Sequence, residues 1–198
     1  HPRVRRQRQM CKETDSDNQV TVTTDYPTLV YTLNSEGYAS QCVYSLSSQN
    51  RIYQFSYSAE GYLTGIVENI DNTEYSSTSL TYENGDITSI SSKMNGLENK
   101  FIYEPGEESS TYHLPCLGLL EIHPLTFHIE ALYAGLLGKD PRHFTIRSCP
   151  AGSNDEKTIY SYEFDKKGNP SRMICQTTYA GGQASYYPYT RNISVSFE

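Results

Sequence analysis

The chain has 198 residues, a formal net charge of −7, 18 Tyr and no Trp. That length suits one domain with a sizeable core. The acidic balance argues against general nucleic-acid binding, and no run of about 18 apolar residues is present to cross a membrane as a helix. A Tyr-, Ser- and Thr-rich chain punctuated by Gly reads as antiparallel β, since Tyr and the β-branched residues suit a pleated surface, and a secreted protein is expected.

Residues 1–19 carry a basic run, Arg3, Arg5, Arg6 and Arg8, followed by Asp15 and Asp17. Such a run reads as an arm for nucleic acid or a membrane surface, or as a solvated terminus. A disordered or extended N-terminal tail is expected, and a single β domain over 20–198.

A hairpin unit then repeats. Gly37, Gly61 and Gly85 recur about every 24 residues, which is a repeat period. Counting from each Gly, Tyr31 and Leu33 lie at −6 and −4, with Ala39 and Cys42 at +2 and +5. The same offsets hold Phe55, Tyr57, Leu63 and Ile66 around Gly61, and Tyr162, Phe164, Pro170 and Met173 around Gly168. Asn84-Gly85 makes a turn one residue shorter, with Leu80, Tyr82, Ile87 and Ile90 around it. Phe101–Gly106 is a degenerate copy. Alternation gives each strand one apolar face, and Gly accepts the positive φ of a tight turn. Positions +2 and +5 differ in parity, so either a bulge follows the turn or both sheet faces are partly covered. The second is expected, because something must also cover the aromatic face. The strands expected here are Tyr38–Leu46, Arg51–Ser58, Leu63–Asn69, Ser77–Glu83, Ile87–Ser92 and Asn99–Tyr103, after Val20–Thr24 and Leu29–Tyr31. They form an up-and-down meander, which must curl, close or be covered.

Residues 113–147 break the alternation. Ile129, Leu132, Tyr133, Leu136 and Leu137 fall on one face of a helix expected over Phe127–Gly138, with Gly138 just past its end and Pro141 beyond. This insert is expected to plug the concave aromatic face of the sheet. Strands resume with the hairpin Lys157–Phe164 and Ser171–Tyr179, then Arg191–Phe197, a terminal strand placed to pair with an early one. The fold class is therefore mainly β: an antiparallel meander curled into a barrel or half-barrel, with one short α-helical insert packed on or inside it.

Tyr162-x-Phe164-Asp165-x-x-Gly168-Asn169-Pro170 resembles a YD-type repeat, the Tyr/Asp hairpin unit of large bacterial surface proteins. The Tyr/Gly hairpins, the stretch Leu132–His143 and the final hairpin together resemble the Bacteroidetes secreted or lipoprotein family described as domain of unknown function 4595, with a porin-like fold. The resemblance covers about 20–198. It implies an antiparallel barrel or strongly curved sheet around a short helix and a location in the periplasm or at the outer membrane or cell surface, with a lipid anchor lying outside this sequence. It carries no catalytic residues. "Porin-like" here describes shape, since outward faces rich in Ser, Thr, Asn and Glu make no lipid-facing belt.

Chemistry-bearing residues cluster in the insert. His113, His123, His128 and His143, with Glu121 and Glu130, offer metal-ligand types, but His123 and His128 are five apart with Pro124 between, which is not a ligand spacing. Ordinary loop and helix-end histidines are expected, with no metal and no cofactor. Of Cys11, Cys42, Cys116, Cys149 and Cys175, none forms a Cys-x-x-Cys pair; Cys42 is expected as a buried free thiol. His113 with Cys116 lacks an orienting third group. Acidic pairs such as Glu107-Glu108, Asp155-Glu156 and Glu60 with Glu68 match glycosidase chemistry, yet acidic hairpin tips serve solubility. Tyr186, Tyr187 and Tyr189 form an aromatic cluster suited to stacking a glycan or docking an envelope protein. The expected function is a non-catalytic cell-envelope protein, structural or partner-binding. The alternative is a ligand-binding module for a glycan or apolar small molecule, and a third reading is a hydrolase using the His/Glu insert.

Overall fold

The structure, a computed structural model, describes residues 13–15, 18–23, 28–46, 49–109, 117–153, 155–166, 170–178 and 189–194. The chain is mainly β, as its alternation requires. Its strands neighbour one another in sequence order from first to last, an antiparallel meander. Packing divides the chain, expected to form one domain, into two compact units: residues 1–78 with 123–139, and 79–122 with 140–198.

The first unit holds β1 (Glu13–Asp15), β2 (Gln19–Thr23), β3 (Thr28–Leu33), β4 (Ala39–Leu46), β5 (Gln49–Tyr57), β6 (Leu63–Ile70) and the first half of β7 (Thr73–Glu83). β1 lies within the segment expected as a tail and pairs with β2. The second unit holds the rest of β7, then β8 (Asp86–Met94), β9 (Leu97–Ser109), a 3-10 turn at Leu117–Glu121, β10 (His143–Pro150), β11 (Lys157–Phe164), β12 (Pro170–Thr178) and β13 (Tyr189–Ser194). The insert expected over 113–147 therefore gives way to strand at His143. β13 pairs with β12, with Met173 opposite Ile193. The strand order is thus open, and the expected closure through the terminal strand is not made among the described residues.

The parity puzzle resolves against the expectation. In three hairpins the register shifts by one residue just beyond the turn, between Thr32 and Leu33, Ser56 and Tyr57, and Glu163 and Phe164. Each shift is a bulge on the returning strand, at Ser40, Thr64 and Ser171. A bulge moves the following side chains back to the face they would otherwise leave. Ala39 then opposes Leu33 and Cys42 opposes Tyr31; Leu63 opposes Tyr57 and Ile66 opposes Phe55; Pro170 opposes Phe164 and Met173 opposes Tyr162. Both +2 and +5 are buried in these three hairpins. The hydroxyl at +3 supports the bulge: Ser40 donates to the Thr32 carbonyl at 3.0 Å and Ser171 to the Glu163 carbonyl at 3.1 Å. Thr88, at the same offset from Gly85, donates to the Thr81 carbonyl at 3.2 Å.

Gly106, expected at a turn, lies inside β9. Here β9 pairs with β10 through two register shifts. A β-carbon at Gly106 would sit 2.7 Å from Ile146 Cγ2, so this glycine serves close approach of chains rather than reversal.

The helix also ends earlier than expected. Of the range expected, only α2 (Ile129–Tyr133) is helical, and a separate short helix, α1 (His123–Thr126), precedes it. Gly135 takes φ 71°, its N–H reaches the Leu132 carbonyl, and the Leu136 N–H reaches the Ala131 carbonyl. This paired closure ends a helix at a left-handed glycine. Leu136 and Leu137 remain buried but belong to the turn and loop that follow. That segment is tied to the first unit: the Leu136 carbonyl accepts from the Ala39 N–H at 2.8 Å, and the Lys139 N–H donates to the Gly61 carbonyl at 2.9 Å. In the second unit, Phe144, Tyr160, Met173 and Cys175 form a core against which Leu120 and Tyr162 pack.

Candidate functional site

The densest grouping of chemically capable side chains lies in the first unit, on the inner faces of β5, β6 and β7 beneath α1. Alternation along β5 sends Arg51, Tyr53 and Phe55 to the face that Ile66 and Glu68 occupy on β6, and Tyr53 stands directly opposite Glu68. Glu68 is 0% exposed. Its Oε1 accepts from the Arg51 guanidinium at 2.8 Å and from the Tyr53 hydroxyl at 3.1 Å, and its Oε2 accepts from the Ser76 hydroxyl at 2.8 Å. Burial and the carboxylate together push the Tyr53 phenol above its ordinary range. The Arg51 guanidinium lies over the rings of Tyr75 and Phe127 at 5.8 and 5.6 Å, a cation–π arrangement that covers its faces. His123 packs on the same two rings at 6.1 and 5.4 Å. Its Nδ1 stands 3.7 Å from Glu68 Oε2, beyond hydrogen-bond range.

His128 is the second buried group, 0% exposed. It caps α2 through its backbone carbonyl, which accepts from the Leu132 N–H. Its ring stands edge-on to Tyr53 at 4.3 Å and Phe55 at 5.3 Å. Nδ1 meets the Tyr31 hydroxyl at 2.7 Å, and Cys42 stands directly across from Tyr31 on the neighbouring strand. Burial drives the imidazole pKa down to about 3, so it is neutral. Burial likewise pushes the Cys42 thiol up to about 12, and Cys42 is a buried free thiol as its core position requires.

A neutral buried histidine has a consequence for stability. As pH falls below about 6.5, the unfolded chain takes up a proton that folded His128 refuses until about pH 3. Stability is therefore expected to fall by about 1.4 kcal/mol per pH unit across that window from this group, and to be flat for it above. Urea unfolding at several pH values checks this: His128→Gln, which cannot titrate, loses that share of the slope whatever its own stability.

The second unit carries a separate pair. The two oxygens of Asp86 accept from the His143 backbone N–H and ring Nδ1, each at 2.8 Å, while the Arg142 N–H donates to the Gly85 carbonyl. The histidines expected as a group thus have different settings: His123 against rings and Glu68, His128 inside the core, His143 on Asp86. His113 lies outside the described residues, as do Cys11 and Cys116. Glu130 falls in the first turn of α2 and Glu121 in the 3-10 turn. Among the described residues no three of His, Cys, Asp and Glu gather as a metal would need. Glu60 is exposed at its turn while Glu68 is buried, so they form no facing carboxylate pair. Of the expected aromatic cluster, Tyr186 and Tyr187 lie outside the described residues, and Tyr189 opens β13 opposite Thr177.

Arg51 escaped the sequence reading, and Glu68 entered it only beside Glu60, although the signal that joins them was present. Both lie in phase with apolar core positions of their strands, Arg51 with Tyr53 and Phe55, Glu68 with Ile66. Opposite charges on the inner face of two paired strands mark a buried ion pair.

The family model described as a domain of unknown function (DUF4595) with porin-like fold matches residues 10–172. No curated protein matches the chain. Among solved structures, a porin-like protein from Bacteroides uniformis ATCC 8492 is similar, with a TM-score of 0.85 and 25% identity over 96% of this chain and 77% of that one.

Proposed function

The chain belongs to the DUF4595 family of porin-like fold, and on that premise we propose that it is a non-catalytic protein of the cell envelope, acting as a scaffold that presents its turns and outer strand faces to a partner. The observation that carries this reading is the use made of the insert. His128 and Leu125 are wholly buried and Phe127 packs on Tyr44 and Tyr53, so the aromatic face of the first unit is filled by the chain itself. The titratable groups there serve as packing partners: Glu68 is spent on Arg51, Tyr53 and Ser76, and His128 on Tyr31. A rigid core that leaves turns and outer faces free suits display. The envelope location is part of the same proposal. Fractionation of native cells carrying an epitope-tagged chromosomal copy tests it. Recovery with the envelope, and a photo-crosslinker at an outer position such as Gln54 yielding one defined adduct there, is the expected result. Recovery with the cytosol overturns it.

A further inference from the structure

The face of the first unit opposite the Glu68 cluster holds a concavity of about 350 Å³ lined by Val43, Asn50, Ile52, Asp71 and Asn72. Asn50 and Ile52 alternate along β5 with Arg51 and Tyr53, so the two sites use opposite faces of one strand. Val43 and Ile52 are a direct cross-strand pair and form an aliphatic floor. The rim is polar and held in place: the Asp71 N–H donates to the Asn50 carbonyl at 3.1 Å, and the Asn50 N–H reaches Asp71 Oδ1 at 3.4 Å.

The turn that supplies Asp71 and Asn72 differs from its counterparts. Both residues are left-handed, at φ 49° and 66°. The corresponding turns Asn84-Gly85 and Asn95-Gly96 place glycine second, at φ 87° and 78°, which is the favoured choice. Asn tolerates the left-handed region, so this turn holds a side chain at the position its counterparts give to glycine. Here that side chain is a carboxamide on the rim of a concavity.

We propose that this concavity is a binding subsite for a neutral carbohydrate. Two carboxamides each offer a donor and an acceptor, and the carboxylate adds acceptors. Paired donors and acceptors match vicinal hydroxyls, which both give and take hydrogen bonds, and the aliphatic floor matches the C–H face of a pyranose. An anion is repelled by Asp71. A calcium ion wants six to eight oxygens, and a rim with one carboxylate serves it poorly. The proposal stands apart from the scaffold reading, since it needs no envelope location.

The whole chain, labelled with nitrogen-15, is titrated with maltotriose, cellotriose, mannotriose and chitotriose, following the side-chain amide signals of Asn50 and Asn72. A saturable shift with one of them is expected. Asn72→Gly relieves the turn, so it is expected to raise Tm by about 2 °C while weakening that binding at least about tenfold. Asp71→Asn, which keeps a turn-forming residue, also weakens it. Gain of stability with loss of binding is an outcome that a purely structural role for Asn72 does not produce. The proposal is overturned if no trisaccharide gives a saturable shift, if calcium alone does, or if Asn72→Gly leaves the affinity unchanged.

Discussion

Glu68→Ala is expected to destabilise the fold by about 3 kcal/mol or more, because it strands the groups that converge on that carboxylate. Removing one member of a buried ion pair typically costs about 3–5 kcal/mol, since the other charge stays desolvated and unpaired. Here the Arg51 guanidinium, the Tyr53 hydroxyl and the Ser76 hydroxyl all lose their acceptor. The Arg51 side chain keeps 18% exposure and so recovers some hydration, which places the effect near the lower end. The double variant Arg51→Met/Glu68→Met removes both charges and fills the space with apolar atoms, and it is expected to recover most of the loss, because well-packed apolar replacements of such pairs are often neutral. Chemical denaturation of the single and double variants reads this directly. If Glu68→Ala were as mild as a surface substitution, the cluster would not be a buried network.

Gly138→Ala is the second large effect, expected at about 3 kcal/mol. Two costs add. The residue sits at φ 89°, where a β-carbon costs about 1–2 kcal/mol. That β-carbon would also stand 2.7 Å from the Gly61 carbonyl oxygen and 3.1 Å from the Tyr57 ring, and overpacking of this kind adds about 1–3 kcal/mol. Neither neighbour yields easily: the Gly61 carbonyl accepts the Lys139 N–H, and the Tyr57 hydroxyl donates to the Ala39 carbonyl at 2.7 Å. Gly37→Ala is the control. It has a similar φ of 84° but open space around it, so only the conformational cost of about 1–2 kcal/mol remains. Equal losses at the two positions, measured by urea unfolding, would remove the packing part of the argument.

The meander was legible because hairpins are written locally: alternation, Asn-Gly and the recurring Gly each act over a few residues. What the sequence concealed depended on choices between equally plausible local signals. The +2/+5 parity admitted a bulge or a doubly covered sheet, and the telling residue was the hydroxyl at +3, Ser40 or Ser171, which looks like any polar strand residue until its carbonyl partner is seen. Gly138 reads as the helix stop, yet the helix ends at Gly135, inside the expected range, because the Schellman bonds form there, leaving Gly138 to pack against Gly61 and Tyr57. Gly106 carries the signature of a turn but works as a thin spot beside Ile146. The histidines drew attention in the insert by their residue type, whereas the buried partners that define their settings, Glu68 and Tyr31, come from strands far away in sequence.

The insert from His123 to Lys139 is permanent core of the first unit and not a lid over a site. Native-state hydrogen exchange tests it most directly, since local opening reports its own free energy. The N–H groups of His128, Leu132 and Leu136 are bonded to the carbonyls of Leu125, His128 and Ala131. Exchange of these three amides is predicted to be as slow as that of the paired amides of β5, because the insert opens only when the unit unfolds. Exchange orders of magnitude faster, with β5 still protected, would instead identify the insert as a mobile cover.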